Sequence, residues 1–363
     1  MGKTKPPRIL IAPLDWGLGH ATRCIPLIRE LSSMKCEVWV AAEGESAALL
    51  RSNFPDLKII ALPGYGIRYS KTRWGFPFRI IGQIPKIIRA IFREHRWLAE
   101  LLKREKLDLI ISDNRYGLYS GSVRSVIMTH QLQVLSGLGT LPDYILRKCH
   151  YAFLSRFHRC WVIDQPGKDN LGGKLSHPPD QPAHVQYLGI LSQFESLPPT
   201  EQKKHVLILL SGPEPMRSQL EATLLDQAGS LPAYRFTVVA GTPHKTEIPP
   251  LPSHITYFPF MDAARLQVVI QQAKLVICRS GYSTLMDLTV LKKRALLIPT
   301  PGQTEQEYLG KRLMKEGLCL TRFQKVVNLK TDIPDALTYP GLGSITPAEN
   351  VKLGDILREL IKK

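Results

Sequence analysis

The chain has 363 residues, of which 44% are hydrophobic and 22% are charged. This composition excludes disordered, collagen-like and coiled-coil proteins and leaves room for two ordinary domains. Lysine and arginine outnumber aspartate and glutamate by 48 to 31. The resulting net charge of +17 favours an anionic partner, which could be a nucleic acid, an acidic lipid surface or a phosphorylated substrate.

The six cysteines and the N-terminal segment favour a reduced cytoplasmic protein. The cysteines lie far apart in the sequence, without a C-x-x-C pair or a short Cys/His cluster that could bind zinc. The apolar run 9–14 is too short for a secretory signal and contains Pro13. The longest stretch without Asp, Glu, Lys or Arg, residues 125–142, carries several polar side chains and is not expected to span a bilayer.

The first predicted strand, 8–11, runs into a loop with two glycines, Asp15-Trp16-Gly17-Leu18-Gly19-His20. Helical periodicity begins directly after this loop, so its backbone N–H groups could approach an anion closely. A dinucleotide fingerprint would need a third glycine where Thr22 stands, which disfavours a nicotinamide enzyme. His20 is a candidate general base. The alternative is that the loop is only a tight turn and His20 a helix cap.

Further apolar runs predict parallel strands buried on both faces at 36–40, 107–111 and 125–128. Asp113 and His130 follow two of these strands, at the edge where open α/β sheets bind ligands. We therefore consider both as candidate acceptor residues, although each could equally cap a helix.

Residues 68–104 combine basic side chains with Trp, Phe and Ile, as in helices that lie on anionic lipid. This segment predicts contact with a membrane surface, and the alternative is a solvated helix that packs on its own domain. Nucleic acid is not expected, because no recognised RNA- or DNA-binding motif accompanies the charges.

A second series of predicted strands follows a proline-containing linker, 188–204. These strands are 205–210, 236–239, 255–258, 275–278 and 295–298. The first leads to Ser211-Gly212-Pro213-Glu214-Pro215-Met216-Arg217, where Arg217 could bind a diphosphate or the prolines could simply start a helix.

The stretch Cys278-Arg279-Ser280-Gly281-Tyr282-Ser283-Thr284-Leu285-Met286-Asp287 predicts a helix start after a strand. Thr284 and Asp287 have capping-box spacing, which would place free N–H groups and the hydroxyls of Ser283 and Thr284 at the sheet edge. Asp287 could accept hydrogen bonds from a ribose, or serve only as a cap. Helical spacing from 346 onward predicts a closing C-terminal helix.

Four segments together resemble the glycosyltransferases of the GT-B fold: Gly17 to His20, Ser211 to Arg217, Phe260-Met261-Asp262 with Cys278 to Asp287, and Pro299 to Tyr308 with Gln306-Glu307. The resemblance is strongest to the group that contains the bacterial lipid-linked peptidoglycan N-acetylglucosaminyltransferase and the monogalactosyldiacylglycerol synthases, with the glycosyltransferase family 28 C-terminal domain. It departs at the glycine-poor loop 211–216 and at Lys292-Lys293-Arg294, so an identical substrate is not expected.

The resemblance implies two doubly wound Rossmann-like domains facing across a cleft. The acceptor domain would be 1–187, the linker 188–204, the donor domain 205–345 and the closing helix 346–363. The reaction would be a metal-independent, inverting transfer of a hexose or N-acetylhexosamine from a nucleotide-sugar to a hydroxyl acceptor. UDP-linked sugars are the first candidates for the donor, and the acceptor would be lipid-linked or membrane-resident. The protein would be cytoplasmic, with peripheral binding to the inner face of the cytoplasmic membrane, and would need no cofactor.

The resemblance also assigns roles to residues. The backbone around Phe260 and Met261 would contact the base, and Asp287 the ribose. The diphosphate would be bound by Ser280, Gly281, Ser283, Thr284 and Arg217, and the sugar hydroxyls by Gln306 and Glu307. The loop Gly17-Leu18-Gly19-His20 would face the reacting centre, where His20 or Asp15 deprotonates the acceptor. Two alternatives remain open: a nucleotide-sugar 2-epimerase, and a non-catalytic sugar- or lipid-binding scaffold.

Overall fold

The computed structural model describes residues 5–66, 82–196, 198, 200, 202–242, 248, 250–345 and 352–362. The chain divides into two compact units. Within the described residues, the first unit comprises 5–66, 82–193 and 352–362, and the second begins at Phe194 and runs to 345.

The first unit contains a seven-stranded parallel sheet. Its strands are β1 (Arg8–Pro13), β2 (Glu37–Ala41), β3 (Lys58–Ile60), β4 (Leu109–Asp113), β5 (Arg124–Thr129), β6 (Arg159–Val162) and β7 (Val185–Tyr187). The strand order is β3-β2-β1-β4-β5-β6-β7, so the direction of the winding reverses between β1 and β4. In open α/β sheets, ligands bind outside the carboxyl ends of the strands at such a reversal.

α-Helices connect β1 to β2, β2 to β3, β3 to β4 and β5 to β6. They are α1 (Leu18–Ser33), α2 (Gly44–Asn53), α3 (Ile84–Arg104) and α4 (Thr140–Leu154), with a short 3₁₀ segment at Gly173–Leu175. Leu10, Ile110 and Ile127 are fully buried within the sheet, which explains why the apolar runs predicted these strands. The predicted closing helix is α10 (Leu353–Lys362), which packs against α1 and accepts a hydrogen bond from Arg124 at the Leu360 carbonyl, 2.7 Å.

The second unit contains a six-stranded parallel sheet in the order β10-β9-β8-β11-β12-β13. Its strands are β8 (His205–Leu209), β9 (Arg235–Val239), β10 (Ile255–Phe258), β11 (Leu275–Cys278), β12 (Ala295–Leu297) and β13 (Leu320–Thr321). Its helices are α5 (Met216–Gly229), α6 (Ala263–Gln272), α7 (Tyr282–Val290), α8 (Thr304–Lys315) and α9 (Leu329–Thr338), followed by a 3₁₀ segment at Leu342–Ser344. The winding reverses between β8 and β11.

The predicted fold class, a pair of doubly wound α/β sheets, is confirmed, while four strands were not predicted. These are β3, β6, β7 and β13, which have three, four, three and two residues. Among the helices that the structure describes, none is long and apolar enough to cross a membrane.

Candidate active site

The site in the first unit begins where β1 turns into α1. Gly17 has a φ of 94°, a left-handed value that favours glycine, and directly precedes the helix. Leu18, Gly19 and His20 form the first helical turn, which has no side-chain cap. The predicted strand, glycine loop and helix therefore follow one another as the sequence pattern indicates.

His20 and Asp113 were predicted separately, and the structure brings them together. His20 Nδ1 lies 2.9 Å from Asp113 Oδ2, across the reversal point between β1 and β4. The Asp113 side chain is fully buried, whereas the imidazole of His20 is 13% exposed. A carboxylate that bonds one imidazole nitrogen orients the ring and fixes its tautomer, so the other nitrogen can act as a base.

Arg23, one turn after His20, completes this cluster. Its guanidinium donates to both carboxylate oxygens of Asp113 and to His130 Nδ1 at 2.9 Å, and its Nη2 atom lies 2.7 Å from His20 Nδ1. The predicted acceptor residue His130 is thereby joined to the same group. Nothing in the sequence analysis gave Arg23 a role, although its i, i+3 spacing from His20 on a predicted helix was a usable signal.

Burial and neighbouring charges shift the titration of these groups. Burial, reinforced by the charge of Arg23, lowers the pKa of His20 and favours the neutral imidazole. Burial alone would raise the pKa of Asp113, but Arg23 and His20 outweigh it and lower that pKa below its ordinary value. The arrangement combines a neutral imidazole with an ionised carboxylate, as general base catalysis requires.

Asp15, the other predicted base, has different partners. Its carboxylate accepts backbone hydrogen bonds from Tyr65 at 3.1 Å and from Gly66 at 3.4 Å. Gly64 packs so closely against this carboxylate that a side chain there would clash with it. Asp15 therefore fastens the loop after β3. It also lines a cavity of about 370 Å³, whose other lining residues are Gly17, Leu18, Glu43, Gly44, Glu45, Ser46, Leu62, Gly64 and Gly66.

A buried ion pair that the sequence analysis missed anchors α3 near this edge. Glu94 accepts from Arg115 at 2.8 Å and from the Tyr65 hydroxyl at 2.8 Å, and both charged side chains are almost fully buried. Arg115 also donates to the Pro13 carbonyl at the end of β1, 2.8 Å away. Burial raises the pKa of Glu94. Glu94 lies in a basic amphipathic segment, which hides its buried role in the sequence.

In the second unit, the structure corrects the predicted capping box. Helix α7 begins at Tyr282 with Gly281 as its N-cap, and no side chain caps it. Thr284 is therefore the third helical residue, and Asp287 lies in the second turn. The N-cap is therefore Gly281 rather than Thr284, so the helix starts three residues earlier than the capping-box spacing indicates. Ser283 and Thr284 still lie in the first turn, both partly exposed.

Three of the predicted donor residues meet at this junction. Ser280, which is fully buried, donates its hydroxyl to the Gln306 carbonyl at 2.8 Å, and Gln306 Oε1 accepts from the Thr300 amide at 2.9 Å. A Cβ on Gly281 would lie 3.9 Å from Gln306 Nε2. Glu307, the next residue of α8, accepts from the Gly302 amide at 3.0 Å. The start of α8 is thus held beside the start of α7.

Two buried donors beside this junction lack a hydrogen-bond partner in the described part of the chain: Arg279 Nε and Thr300 Oγ1. A Cβ on Gly212 would lie 3.8 Å from Arg279 Nε and 3.3 Å from Thr300 Oγ1. Gly212 has a φ of 102°, in the left-handed region. The loop after β8 therefore passes close to two unsatisfied donors, which the sequence analysis did not identify.

Other predicted donor residues lie elsewhere in this unit. Phe260 is 45% exposed and Met261 is buried, and both follow β10, which is three positions from β11 in the sheet. Arg217 is buried and bonds Glu214 and Glu221, each at 2.6 Å. Glu214 also accepts from the Ser218 amide in the first turn of α5. A diphosphate at Arg217 would have to displace a carboxylate, which makes Arg217 a weaker candidate than the sequence indicated.

The second unit matches a family model. Residues 217–339 match the glycosyltransferase family 28 C-terminal domain. This match includes β11, α7 and the start of α8, where Ser280, Gly281 and Gln306 come together.

Curated relatives cover most of the chain. An uncharacterized glycosyltransferase of Methanosarcina acetivorans is 21% identical over 344 residues, which cover 85% of this chain and 84% of that protein. The chain is also similar to a UDP-N-acetylglucosamine–N-acetylmuramyl-(pentapeptide) pyrophosphoryl-undecaprenol N-acetylglucosamine transferase of a Synechococcus species, with 22% identity over 83% of this chain and 77% of that enzyme.

Solved glycosyltransferases share the fold. The spinosyn rhamnosyltransferase SpnG aligns with a TM-score of 0.66 and 15% identity over 98% of this chain and 96% of its own, and its complex with thymidine diphosphate aligns with a TM-score of 0.62. At this identity the likeness establishes the fold alone. Together with the family match and the relatives, it confirms the resemblance predicted from the sequence: the chain is a glycosyltransferase of the GT-B fold, with a glycosyltransferase family 28 C-terminal domain at 217–339.

Proposed function

We propose that this glycosyltransferase moves a hexose or N-acetylhexosamine from a nucleotide-sugar to a hydroxyl acceptor with inversion at the anomeric carbon. UDP-linked sugars are the first candidates for the donor. The observation that carries the proposal is the His20–Asp113 pair, 2.9 Å apart at the reversal point of the first sheet. A binding protein has no need of a neutral imidazole held by a buried, ionised carboxylate, whereas a transferase that activates a hydroxyl does.

The proposed chemistry uses the two nitrogens of His20 differently. When Nδ1 carries the ring proton and donates it to Asp113, Nε2 has the lone pair that removes the acceptor hydroxyl proton. The acceptor oxygen then bonds to the anomeric carbon as the bond to the diphosphate oxygen breaks. The electron pair of that bond leaves with the nucleoside diphosphate, and the proton remains on His20 until it passes to solvent or to the product. Asp113 stabilises the imidazolium that forms.

Asp15 is less suited to act as the general base, because its carboxylate accepts hydrogen bonds from backbone amides.

We assign donor binding to the edge of the second sheet around β11 and α7. An uncapped helix start, the hydroxyls of Ser283 and Thr284, and the unsatisfied donors Arg279 Nε and Thr300 Oγ1 could all stabilise a diphosphate. Asp287 would accept from the ribose, and Gln306 and Glu307 from the sugar. Phe260 and Met261 would contact the base. These donor groups are compatible with a reaction without a metal, which stays a prediction.

The acceptor is proposed to be lipid-linked or membrane-resident, at the inner face of the cytoplasmic membrane. Helix α3 exposes Ile84, Ile88 and Phe92, the last to 66%, beside basic side chains. The next helix along the chain, α4, exposes further large apolar side chains at its N-terminal half: Leu141, Tyr144 and Ile145. Exposed apolar groups flanked by positive charge favour binding to anionic lipid. The part of the predicted segment from 68 to 81 lies outside the described residues.

Two other functions make different predictions. A nucleotide-sugar 2-epimerase would convert its substrate without any acceptor, so the sugar would remain on the nucleotide. A sugar- or lipid-binding scaffold would bind its ligand but release no nucleoside diphosphate. The His20–Asp113 pair argues against the scaffold, and the requirement for an acceptor distinguishes the transferase from the epimerase.

The test is transfer of labelled sugar from UDP-N-acetylglucosamine and UDP-hexoses to bacterial lipid extracts, with the anomeric configuration of the product read by NMR. We expect His20→Gln and Asp113→Asn to lower the transfer rate roughly 100-fold or more, the usual contribution of a general base. Donor affinity should stay near that of the wild type. His158→Gln is the matched control, because His158 is an exposed histidine of the same unit. Full transfer by His20→Gln would remove His20 from the mechanism.

A further inference from the structure

Arg23 contacts each of the ionisable groups in the His20 cluster and is itself almost completely buried, at 2% exposed. Its Nε atom donates to Asp113 Oδ2 at 2.8 Å, and Nη2 donates to the other carboxylate oxygen. A buried guanidinium requires such a partner, because an unpaired charge away from water is costly. The fork holds both oxygens of Asp113, so the carboxylate cannot rotate away from His20.

The contacts of Arg23 also constrain the ring protons, since a guanidinium only donates hydrogen bonds. His130 Nδ1, 2.9 Å from Nη1, must therefore accept and carries no proton. His20 Nδ1 lies between Nη2 at 2.7 Å and Asp113 Oδ2 at 2.9 Å. His20 Nδ1 bonds the carboxylate only when it carries the ring proton, and it bonds the guanidinium only when it does not. In the neutral ring, a proton on Nδ1 leaves the lone pair on Nε2.

We propose that Arg23 is a positioning residue that adjusts the protonation of His20: its charge adds to burial in keeping the imidazole neutral, and its hydrogen bonds to Asp113 hold the carboxylate that selects the Nδ1–H tautomer. The inference rests on the proposed function, in which His20 is the base. Arg23 does not touch the reacting atoms. It acts through Asp113 and His20, and its contact with His130 fixes the second imidazole of the cluster.

The charged and titratable groups around His20 come from three elements. Arg23 on α1 and His130 after β5 disfavour the imidazolium, and Asp113 on β4 favours it. Two further groups lie near Asp113, the Cys24 thiol and the Tyr116 hydroxyl, and burial raises the pKa of each, so both are neutral. Loss of the Arg23 charge would therefore remove the stronger of the two neighbours that disfavour the imidazolium and leave Asp113, which favours it, so the imidazolium would become easier to form.

The test is an NMR titration of the imidazole nitrogens in the full-length protein, with His20 assigned through the His20→Gln variant. In Arg23→Gln we expect the His20 midpoint to move upward by about one pH unit, a tenfold gain in proton affinity. Arg23→Lys keeps the charge and should titrate near the wild-type midpoint, but with more of the Nε2–H tautomer. Arg29→Gln on the same helix is the charge-matched control, because Arg29 is exposed and donates to the Gln193 carbonyl.

The activity readout separates positioning from a merely structural role. The acid limb of the kcat/KM profile should move upward with the His20 midpoint in Arg23→Gln, whereas structural damage would lower the rate equally at every pH. A His20 midpoint in Arg23→Gln that matches the wild type overturns the proposal. If that variant does not fold, a wild-type tautomer ratio in Arg23→Lys overturns it. The titration needs no substrate, so failure of the proposed function would instead appear as a wild-type protein without transfer activity.

Discussion

At the scale of single residues, His150 on α4 is a neutral histidine held inside the first unit. Its Nε2 lies 3.1 Å from the Tyr116 hydroxyl and its Nδ1 lies 3.3 Å from the Leu132 carbonyl, so the neutral ring satisfies both neighbours. Burial lowers the pKa of His150 to about 4, from the ordinary value of 6.5. The unfolded chain therefore takes up a proton at a higher pH than the native protein does.

This difference predicts a loss of stability in mild acid. As the pH falls below 6.5 the unfolded state gains a proton that the native state gains only near pH 4, so the free energy of unfolding decreases between these values. The contribution is about 1.4 kcal/mol per pH unit, or roughly 3 kcal/mol in total. In His150→Gln, urea unfolding measured from pH 7 to 4.5 should show a shallower decline. An unchanged slope would mean that His150 is protonated in the native protein.

The residues of the candidate site differ in how far the sequence could predict them. Motif position was enough to select His20, Asp113 and His130 as separate candidates. Arg23 connects these residues only because β1 and β4 are neighbours in the sheet. The order of residues along the chain does not reveal which strands pair. The unsatisfied donors of Arg279 and Thr300 likewise depend on where the loop after β8 passes.

At the scale of the secondary-structure elements, α3 has two separate faces. Ala90, Ile91, Glu94 and Leu98 are buried against the first unit. Its outer face carries the exposed apolar side chains and the basic residues Lys86, Arg89, Arg93 and Arg96. The helix thus packs on its own domain through one face, as the alternative held, and exposes the other face, so contact with a membrane surface stays a prediction.

The outer face predicts binding to anionic vesicles. Arg89→Gln with Arg96→Gln should weaken sedimentation with phosphatidylglycerol-containing vesicles by roughly 10- to 30-fold, because each basic residue near such a surface contributes about 1 kcal/mol. Arg93 is left in place because it donates to the Gly64 carbonyl. Lys103→Gln with Arg104→Gln removes the same charge from the far end of α3 and should have a smaller effect. If the two double variants weakened vesicle binding equally, the binding would depend on net charge alone and not on the outer face of α3.

The strand prediction rested on clear apolar runs at β1, β4 and β8. β1, β4 and β8 read as continuous Val, Ile and Leu runs because helices cover both faces of a parallel sheet. β7, Val-Gln-Tyr, is too short and too mixed to carry that signal, and it pairs with only one neighbour at the end of the sheet. The capping-box prediction at Thr284 was wrong because Gly281 already serves as the N-cap of α7.

Gly354 illustrates how tertiary contact overrides local propensity. A glycine inside a helix costs about 1 kcal/mol relative to alanine. In α10 a Cβ at this position would collide with the Glu30 carboxylate of α1, so a larger residue there would force that carboxylate to move. The helix was predicted in spite of Gly354, and the structure places this glycine at the contact with α1.

At the scale of the whole molecule, each unit places its candidate groups at the carboxyl edge of a sheet whose winding reverses. The first unit contains the His20–Asp113 pair, and the second contains an uncapped helix start and two donors that lack a partner among the described residues. The net charge of +17 is consistent with a negatively charged nucleotide-sugar and an anionic membrane surface. The sequence was sufficient to predict two α/β sheets with candidate groups at their edges, while the sugar and the acceptor depend on contacts that no motif specifies.

We propose that the second unit binds a nucleotide-sugar. Titration calorimetry measures the affinity of the full-length protein for UDP and for dTDP, the diphosphate portions of such donors. We predict that one diphosphate binds preferentially and that Asp287→Ala weakens this binding roughly 10- to 100-fold, as expected when a charged acceptor for ribose hydroxyls is lost. Asp335→Ala, an exposed acid of the same unit, should bind as the wild type does. If the folded protein bound neither diphosphate, the proposed nucleotide-sugar site in the second unit would be wrong.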